Sequence, residues 1–216
     1  MKILFKYTTR SRPDWFLRGL SSIVDNCVDP RFRVLVTLDE DDASMNHPDM
    51  LEELGRAANV DVCIGKSRNK IDATNRDLAT YGYDWDILVN MSDDMVFVEH
   101  GFDDVIRRSF DHLDLCLHIP DGNRSDIVTL AILGRAFYDR FGYIYHPSYV
   151  SLWADKEMTE VAQILGCYKF VDARFLLHLH PAYRDVPMDE QYRHTESFGK
   201  ADAKTYKRRA ASGFGL

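Results

Sequence analysis

Residues 84–97 read "DWDILVNMSDDMVF": the apolar run Ile87–Val89, then Asn90, Met91 and Ser92, then the adjacent carboxylates Asp93 and Asp94, and then Met95, Val96 and Phe97. A short run of this kind has the character of a strand buried on both faces, as the strands of a parallel sheet are. Two negative charges framed by large apolar residues make a poor exposed turn. In an open parallel sheet the ligand crevice lies outside the carboxyl ends of the strands, where Asp93 and Asp94 would sit. The alternative is that they are turn formers, a common use of Asp.

Residues 2–9 have the β-rich character of a first strand, and Trp15, Phe16, Leu20, Ile23 and Val24 fall at helical spacing behind it. Pro13-Asp14 starts that helix and Asp29-Pro30 stops it. Residues 31–42 form a second strand ending in "DEDD", 50–60 a helix closed by Asn59, and 61–66 a third strand. Ile71, Thr74, Leu78 and Ala79 predict a helix over 69–82 ended by Gly82, and 86–92 is the fourth strand. Strands alternating with helices imply an α/β fold, a mostly parallel sheet with helices on both faces. Past residue 100 the pattern loosens into a helix at 102–110, two strands and a helix across 113–142, a helix at 153–166 and a further strand within 168–181.

The chain has 216 residues, 45% of them hydrophobic, enough for one well-buried core. A net charge of −7 disfavours a protein that grips nucleic-acid phosphates with a broad basic surface. Cys27, Cys63, Cys116 and Cys167 are irregularly spaced, which reads as reduced core thiols. No apolar run approaches a membrane span, so a soluble, cytoplasmic protein is expected.

Three strands deliver polar residues to one sheet edge: Thr8, Thr9 and Arg10, then Asp39–Asp42, then Asp93-Asp94. Concentrated carboxylates call for a cation, and Mg²⁺ or Mn²⁺ takes such oxygens while leaving positions open for phosphate. Together "KYTTRSRPDWF", "LVTLDEDD", "SRNKIDATNRDLA" and "WDILVNMSDDMVF" resemble, over residues 1–100, a GT-A-type glycosyltransferase of the short family-two-like kind that phages and bacteria encode. The resemblance implies a Rossmann-like GT-A domain over residues 1–186. Residues 1–100 would bind the nucleotide sugar, UDP-linked first, and 101–186 the acceptor. The family's Asp-x-Asp stands here as "SDD", without the first acid.

By resemblance Asp94 binds the metal, and Asp93 the ribose or the metal through water. Thr9 and Arg10 approach base and ribose, Arg12 the diphosphate, and Asp39 the uracil-type ring or ribose. Arg68, Lys70 and Asn75 match the segment over the nucleotide, although Lys70 also reads as a solvated helix-start lysine. The acceptor hydroxyl's proton needs a base. Asp155 stands where relatives hold an acidic motif, with Ala154 replacing its first acid, and Trp153 would wall the acceptor pocket. The plain reading of Asp155 is a helix N-cap. His178 and His180 share one side of a strand, and either completes a metal site or is a hydrogen-bonded core group; the resemblance favours His180. Residues 187–216 concentrate basic side chains and read as a solvated tail or a lid, with Tyr192, Tyr206 and Phe214 as anchors.

Two other readings stand beside the transferase. A sugar-phosphate nucleotidyltransferase would need a Gly-rich phosphate loop, and "TTRSRPDW" has no glycine. A non-catalytic nucleotide- or glycan-binding module would need no base. The acceptor is left open among a glycan, a lipid-linked precursor, a protein and a modified DNA base.

Overall fold

The computed structural model describes residues 1–216. Its centre is a seven-stranded sheet in the order β3-β2-β1-β4-β7-β6-β8. Strands β1 (Ile3–Thr8), β2 (Phe32–Asp39), β3 (Val60–Gly65) and β4 (Ile87–Met91) are mutually parallel, with Ile3 level with both Phe32 and Ile87. Strand β7 (Ile132–Gly134) pairs antiparallel with β4, and β6 (Cys116–His118) antiparallel with β7 and parallel with β8 (Tyr168–Phe170). A separate ribbon joins β5 (Met95–Phe97) antiparallel to β9 (Leu176–His178).

Side-chain alternation divides the core into two layers. Ile3, Phe5 and Tyr7 of β1, with Ile87, Val89 and Met91 of β4, join a 28-residue cluster against helices α1 (Pro13–Asn26), α2 (Pro48–Arg56) and α4 (Phe102–Arg108). Leu4, Leu35 and Leu88 join a 19-residue cluster on the other face, against α3 (Lys70–Asn75), α5 (Arg135–Asp139) and α6 (Ala154–Ile164). Gly19 lets α1 lie close to the sheet, because a Cβ there would stand 2.0 Å from the Tyr7 hydroxyl. This is the α/β architecture expected, helices on both faces of a mostly parallel sheet. No helix is long and apolar enough to cross a membrane.

Two local expectations fail. Helix α3 ends at Asn75 rather than Gly82. The Asn75 carboxamide accepts from Ile144 N and Tyr145 N and donates to Tyr145 O, while Arg76 donates to Leu38 O. Asp77 then turns at φ 74° to accept from the Thr37 hydroxyl. The strand expected within 168–181 is two strands, β8 in the main sheet and β9 in the ribbon. Residues 187–216, read from the sequence as a tail or a lid, form α7 (Glu190–Ser197), α8 (Gly199–Ala211) and a 3₁₀ turn, with Tyr192 and Phe214 buried.

Helix α8 is tied to the body by Asp202, 1% exposed, whose carboxylate accepts from Val150 N, Ser151 N and Leu152 N. Arg209 on the same helix pairs with the buried Glu157 of α6, 2.7 Å away. Asp202→Ala strands three backbone donors, and the expected cost is about 3 kcal/mol, roughly a 6–12 °C fall in melting temperature. Thermal and urea unfolding measure it; an unchanged midpoint would mean that residues 150–152 hold themselves in place.

Lys6, wholly buried in β1, contacts the Thr37 hydroxyl and lies 4.0 Å from Asp77. Burial, only partly offset by Asp77, lowers its pKa from 10.5 to about 7. Between these values the unfolded chain binds the extra proton, so this lysine makes stability rise with pH across that window. Lys6→Met should remove the rise: between about pH 7 and 9 the wild type is expected to gain up to ~2 kcal/mol on the variant in urea titrations. Equal slopes in the two proteins would contradict a neutral buried amine.

Candidate active site

The carboxyl ends of β1, β2 and β4 and the starts of α3 and α6 surround one open crevice of about 830 Å³. Ten buried side-chain nitrogen or oxygen atoms have no partner within the protein, and all but Arg76 Nε and His118 Nε2 belong to residues lining this crevice. Those eight residues are Thr9, Asp39, Ser67, Asn90, Asp93, Asp94, Thr129 and Ser151. Buried polar groups left unpaired are costly, so their concentration marks a surface shaped for a polar ligand or ordered water.

Thr9, Arg10, Arg12, Asp39, Arg68, Lys70, Asp93, Asp94, Asp155, His178 and His180 all line the crevice. Asn75 does not, because its amide is consumed by the main chain of Ile144 and Tyr145. Arg10 is shared between Asp39 at 3.0 Å and Asp41 at 2.7 Å, which leaves Asp39 Oδ1 free. Arg68 reaches toward solvent, 78% exposed, and pairs with Asp72.

Asp93 and Asp94, where β4 ends, are only 6% and 5% exposed, and each keeps one oxygen unpartnered. Burial pushes the Asp93 pKa up to about 7, against the pull of Arg12 and Lys70. Burial also acts to raise Asp94, but the hydrogen bond and charge of His178 overturn it and hold Asp94 well below the carboxylate range. Asp94 Oδ2 lies 3.2 Å from His178 Nε2 and accepts from the Tyr192 hydroxyl at 2.9 Å. On its far side His178 Nδ1 meets Asp121 at 2.9 Å. Burial opposes a charged imidazole, yet Asp121 and Asp94 together raise the His178 pKa to about 9. Asp121 itself is kept at about 2, since bonds from His178, Arg124 N and Asn123 N outweigh its burial.

His178, rather than the favoured His180, therefore faces Asp94. Register decides it: Met95 pairs with His178, and Leu179 N donates to Asp94 O, so the ribbon sets these two side chains together. His180 lies beyond the strand, its ring 5.1 Å from Tyr192, its pKa lowered by burial and by His178. No three His, Cys, Asp or Glu side chains converge as a metal cage. Asp94 and His178 nonetheless supply one oxygen and one nitrogen donor beside a roomy crevice, and Asp93 adds an unpaired oxygen. That donor set fits Mn²⁺ or Mg²⁺ where phosphate and water oxygens complete the shell.

Asp155 is the second residue of α6, not its N-cap; the cap is Trp153, at φ 69°. Burial raises the Asp155 pKa, opposed by the Lys156 N–H and by the charges of Lys70 and Arg124. Lys70 thus acts on Asp93, Asp94 and Asp155 alike. Trp153 does not wall the crevice: its ring packs 5.2 Å from Tyr206, and Tyr145, Leu152 and Ala154 line that side instead.

Sequence reasoning missed Asp121, Arg124 and Asp189. Arg12, nearly buried, forms a two-pronged pair with Asp189 at 2.8 and 2.7 Å, and its guanidinium lies 3.9 Å over the Tyr192 ring. The same α7 start therefore touches Arg12 through Asp189 and Asp94 through Tyr192. "DGN" at 121–123 carried only a turn signal.

No protein-family model matches the sequence, and no curated protein matches it. Solved structures do. The mannosyltransferase PcManGT from Pyrobaculum calidifontis, in complex with GDP-Man and Mn²⁺, superposes with a TM-score of 0.66 at 13% identity over 88% of this chain and 58% of that one. TarS from S. aureus superposes at 0.64 and 15% identity, over 83% of this chain and 37% of TarS. TarS 1-349 in complex with UDP-GlcNAc gives 0.63 at 14% identity, over 82% and 57%. The chain thus spans less than two thirds of the length of each. Its architecture is the fold of GT-A glycosyltransferases.

Proposed function

We propose that this chain is a metal-dependent glycosyltransferase that moves a sugar from a nucleotide-diphosphate sugar to an acceptor hydroxyl with inversion. The observation that carries the reading is the crevice at the strand ends. It gathers unpaired buried polar atoms around Asp93, Asp94 and His178 and includes a second, separately positioned carboxylate, Asp155. The structural neighbours in complex with GDP-Man or UDP-GlcNAc support a nucleotide-sugar donor, and the one with Mn²⁺ supports a divalent ion.

In this reading Asp39, Thr9 and Arg10 take the base and ribose, Arg12 faces the diphosphate, and Lys70 and Arg68 belong to the segment over the nucleotide. Asp94 and His178 would hold the ion, Asp93 would serve the ribose or the ion through water, and His180 stands on the rim. Bound Mn²⁺ or Mg²⁺ would offset charge developing on the leaving diphosphate. Asp155 takes the acceptor's proton; its raised pKa suits a base, and Lys70 and Arg124 favour its ionised form. Helix α7 serves as a lid that lifts for the donor. A UDP-sugar and a cytoplasmic setting belong to the same reading, as does an acceptor drawn from glycans, lipid-linked precursors, proteins or modified DNA bases.

A binding module that keeps the fold accounts for Asp93 and Asp94 but leaves Asp155 without a role. Calorimetric titration of UDP, GDP and UDP-glucose, with Mn²⁺ and then with EDTA, tests the donor site, and donor hydrolysis separates an enzyme from a module. Binding that depends on Mn²⁺ is expected; no heat under any condition would overturn the reading.

A further inference from the structure

We infer that Asp121 is a positioning residue for metal binding: it fixes the His178 ring so that Nε2, and not Nδ1, is the nitrogen presented beside Asp94. The inference rests on the metal reading of the site and concerns a residue outside the strand-end carboxylates.

Asp121 follows β6 and is 1% exposed. Its two oxygens do separate work. Oδ1 accepts from Asn123 N at 2.9 Å and Arg124 N at 2.7 Å, which closes the local turn. Oδ2 has His178 Nδ1 at 2.9 Å. An ionised carboxylate only accepts, so Nδ1 keeps its hydrogen, and Nε2, 3.2 Å from Asp94 Oδ2, is the nitrogen a metal would take in place of a proton. The main chain reinforces this: His178 N donates to Asp121 O at 2.9 Å, and Asn123 Nδ2 donates to His178 O at 2.6 Å. A carboxylate needed only for the turn would be satisfied by its two N–H bonds. The second oxygen goes to His178 alone, and the Asp121 carbonyl and the Asn123 amide hold the His178 main chain beside it, the pattern by which outer carboxylates orient metal-binding imidazoles.

Asp121→Asn separates the two jobs. The amide oxygen keeps the turn, while the amide NH₂ in place of Oδ2 donates to Nδ1 and drives the hydrogen onto Nε2, toward the ion. Mn²⁺ affinity, read from the free-ion EPR signal with no substrate present, should fall about 10–100-fold. Asn123→Ala, which loosens the His178 carbonyl without changing the ring's hydrogen, should change it by less than about 3-fold. If the wild type binds Mn²⁺ and Asp121→Asn binds it equally well, the positioning role is overturned and the transferase reading stands. If the wild type binds no Mn²⁺, the metal reading fails and takes this inference with it. Should Asp121→Asn not fold, ¹⁵N spectra of histidine-labelled wild type at saturating Mg²⁺ decide: a hydrogen on His178 Nδ1 with none on Nε2 supports the inference, and any other state of the ring overturns it. The His178 signals are assigned by their loss in His178→Gln.

Discussion

Asp94→Asn is expected to lower kcat/KM for sugar transfer by about 10³-fold or more, and to make donor binding in Mn²⁺ indistinguishable from donor binding in EDTA. Asp94 has one oxygen unpartnered and the other between His178 and Tyr192, so the amide retains the shape but withdraws the negative charge that an ion needs. Electrostatic stabilisation by a bound ion is worth several kcal/mol in a transition state, which sets the scale of the loss. The fold should survive, since His178 keeps Asp121 at 2.9 Å. A variant with wild-type turnover and wild-type response to Mn²⁺ would remove Asp94 from the chemistry.

Asp155→Asn should leave Mn²⁺ and donor binding within about 2-fold of wild type while kcat falls about 10²–10⁴-fold, the range for loss of a general base. The pH profile adds a second readout. Burial raises the Asp155 pKa, so the proton stays on at pH values where a free carboxylate has already released it. The base form therefore disappears as pH falls, and the acid limb of kcat should lie above the ordinary carboxylate range. That limb should be absent in the residual activity of the variant. Undiminished kcat would reduce Asp155 to a first-turn acid placed favourably for the helix dipole.

What could be read from the sequence was whatever depends on neighbours in the chain. Strands β1, β2 and β4 announce themselves because they are buried on both faces, β3 at the sheet edge is only half-buried but apolar, and Asp93-Asp94 stands out because apolar residues enclose it. Choices between near-equivalent residues needed tertiary register. His178 and His180 differ by one pleat, and only the pairing of β9 with β5 brings His178 to Asp94. Helix α3 stops early for contacts to Tyr145 and Leu38, some 70 and 38 residues away. Asp121 carries a turn motif whose second oxygen is spent 57 residues on, which no local pattern encodes. The final helices looked like solvated charge because their anchors, Arg12 to Asp189 and Glu157 to Arg209, join distant segments.

The Arg12–Asp189 pair also bears on how quickly and how tightly any anion is captured. A phosphate that needs Arg12 finds it already neutralised, and the oxygen of Asp94 that meets Tyr192 is covered from the same helix. On the lid reading proposed above, binding exchanges one counter-ion for another, so the measured affinity would be the intrinsic affinity scaled by the fraction of molecules in which α7 has moved aside. Capture would then be a two-step process whose rate levels off at the rate of helix opening as ligand concentration rises, instead of climbing in proportion to it.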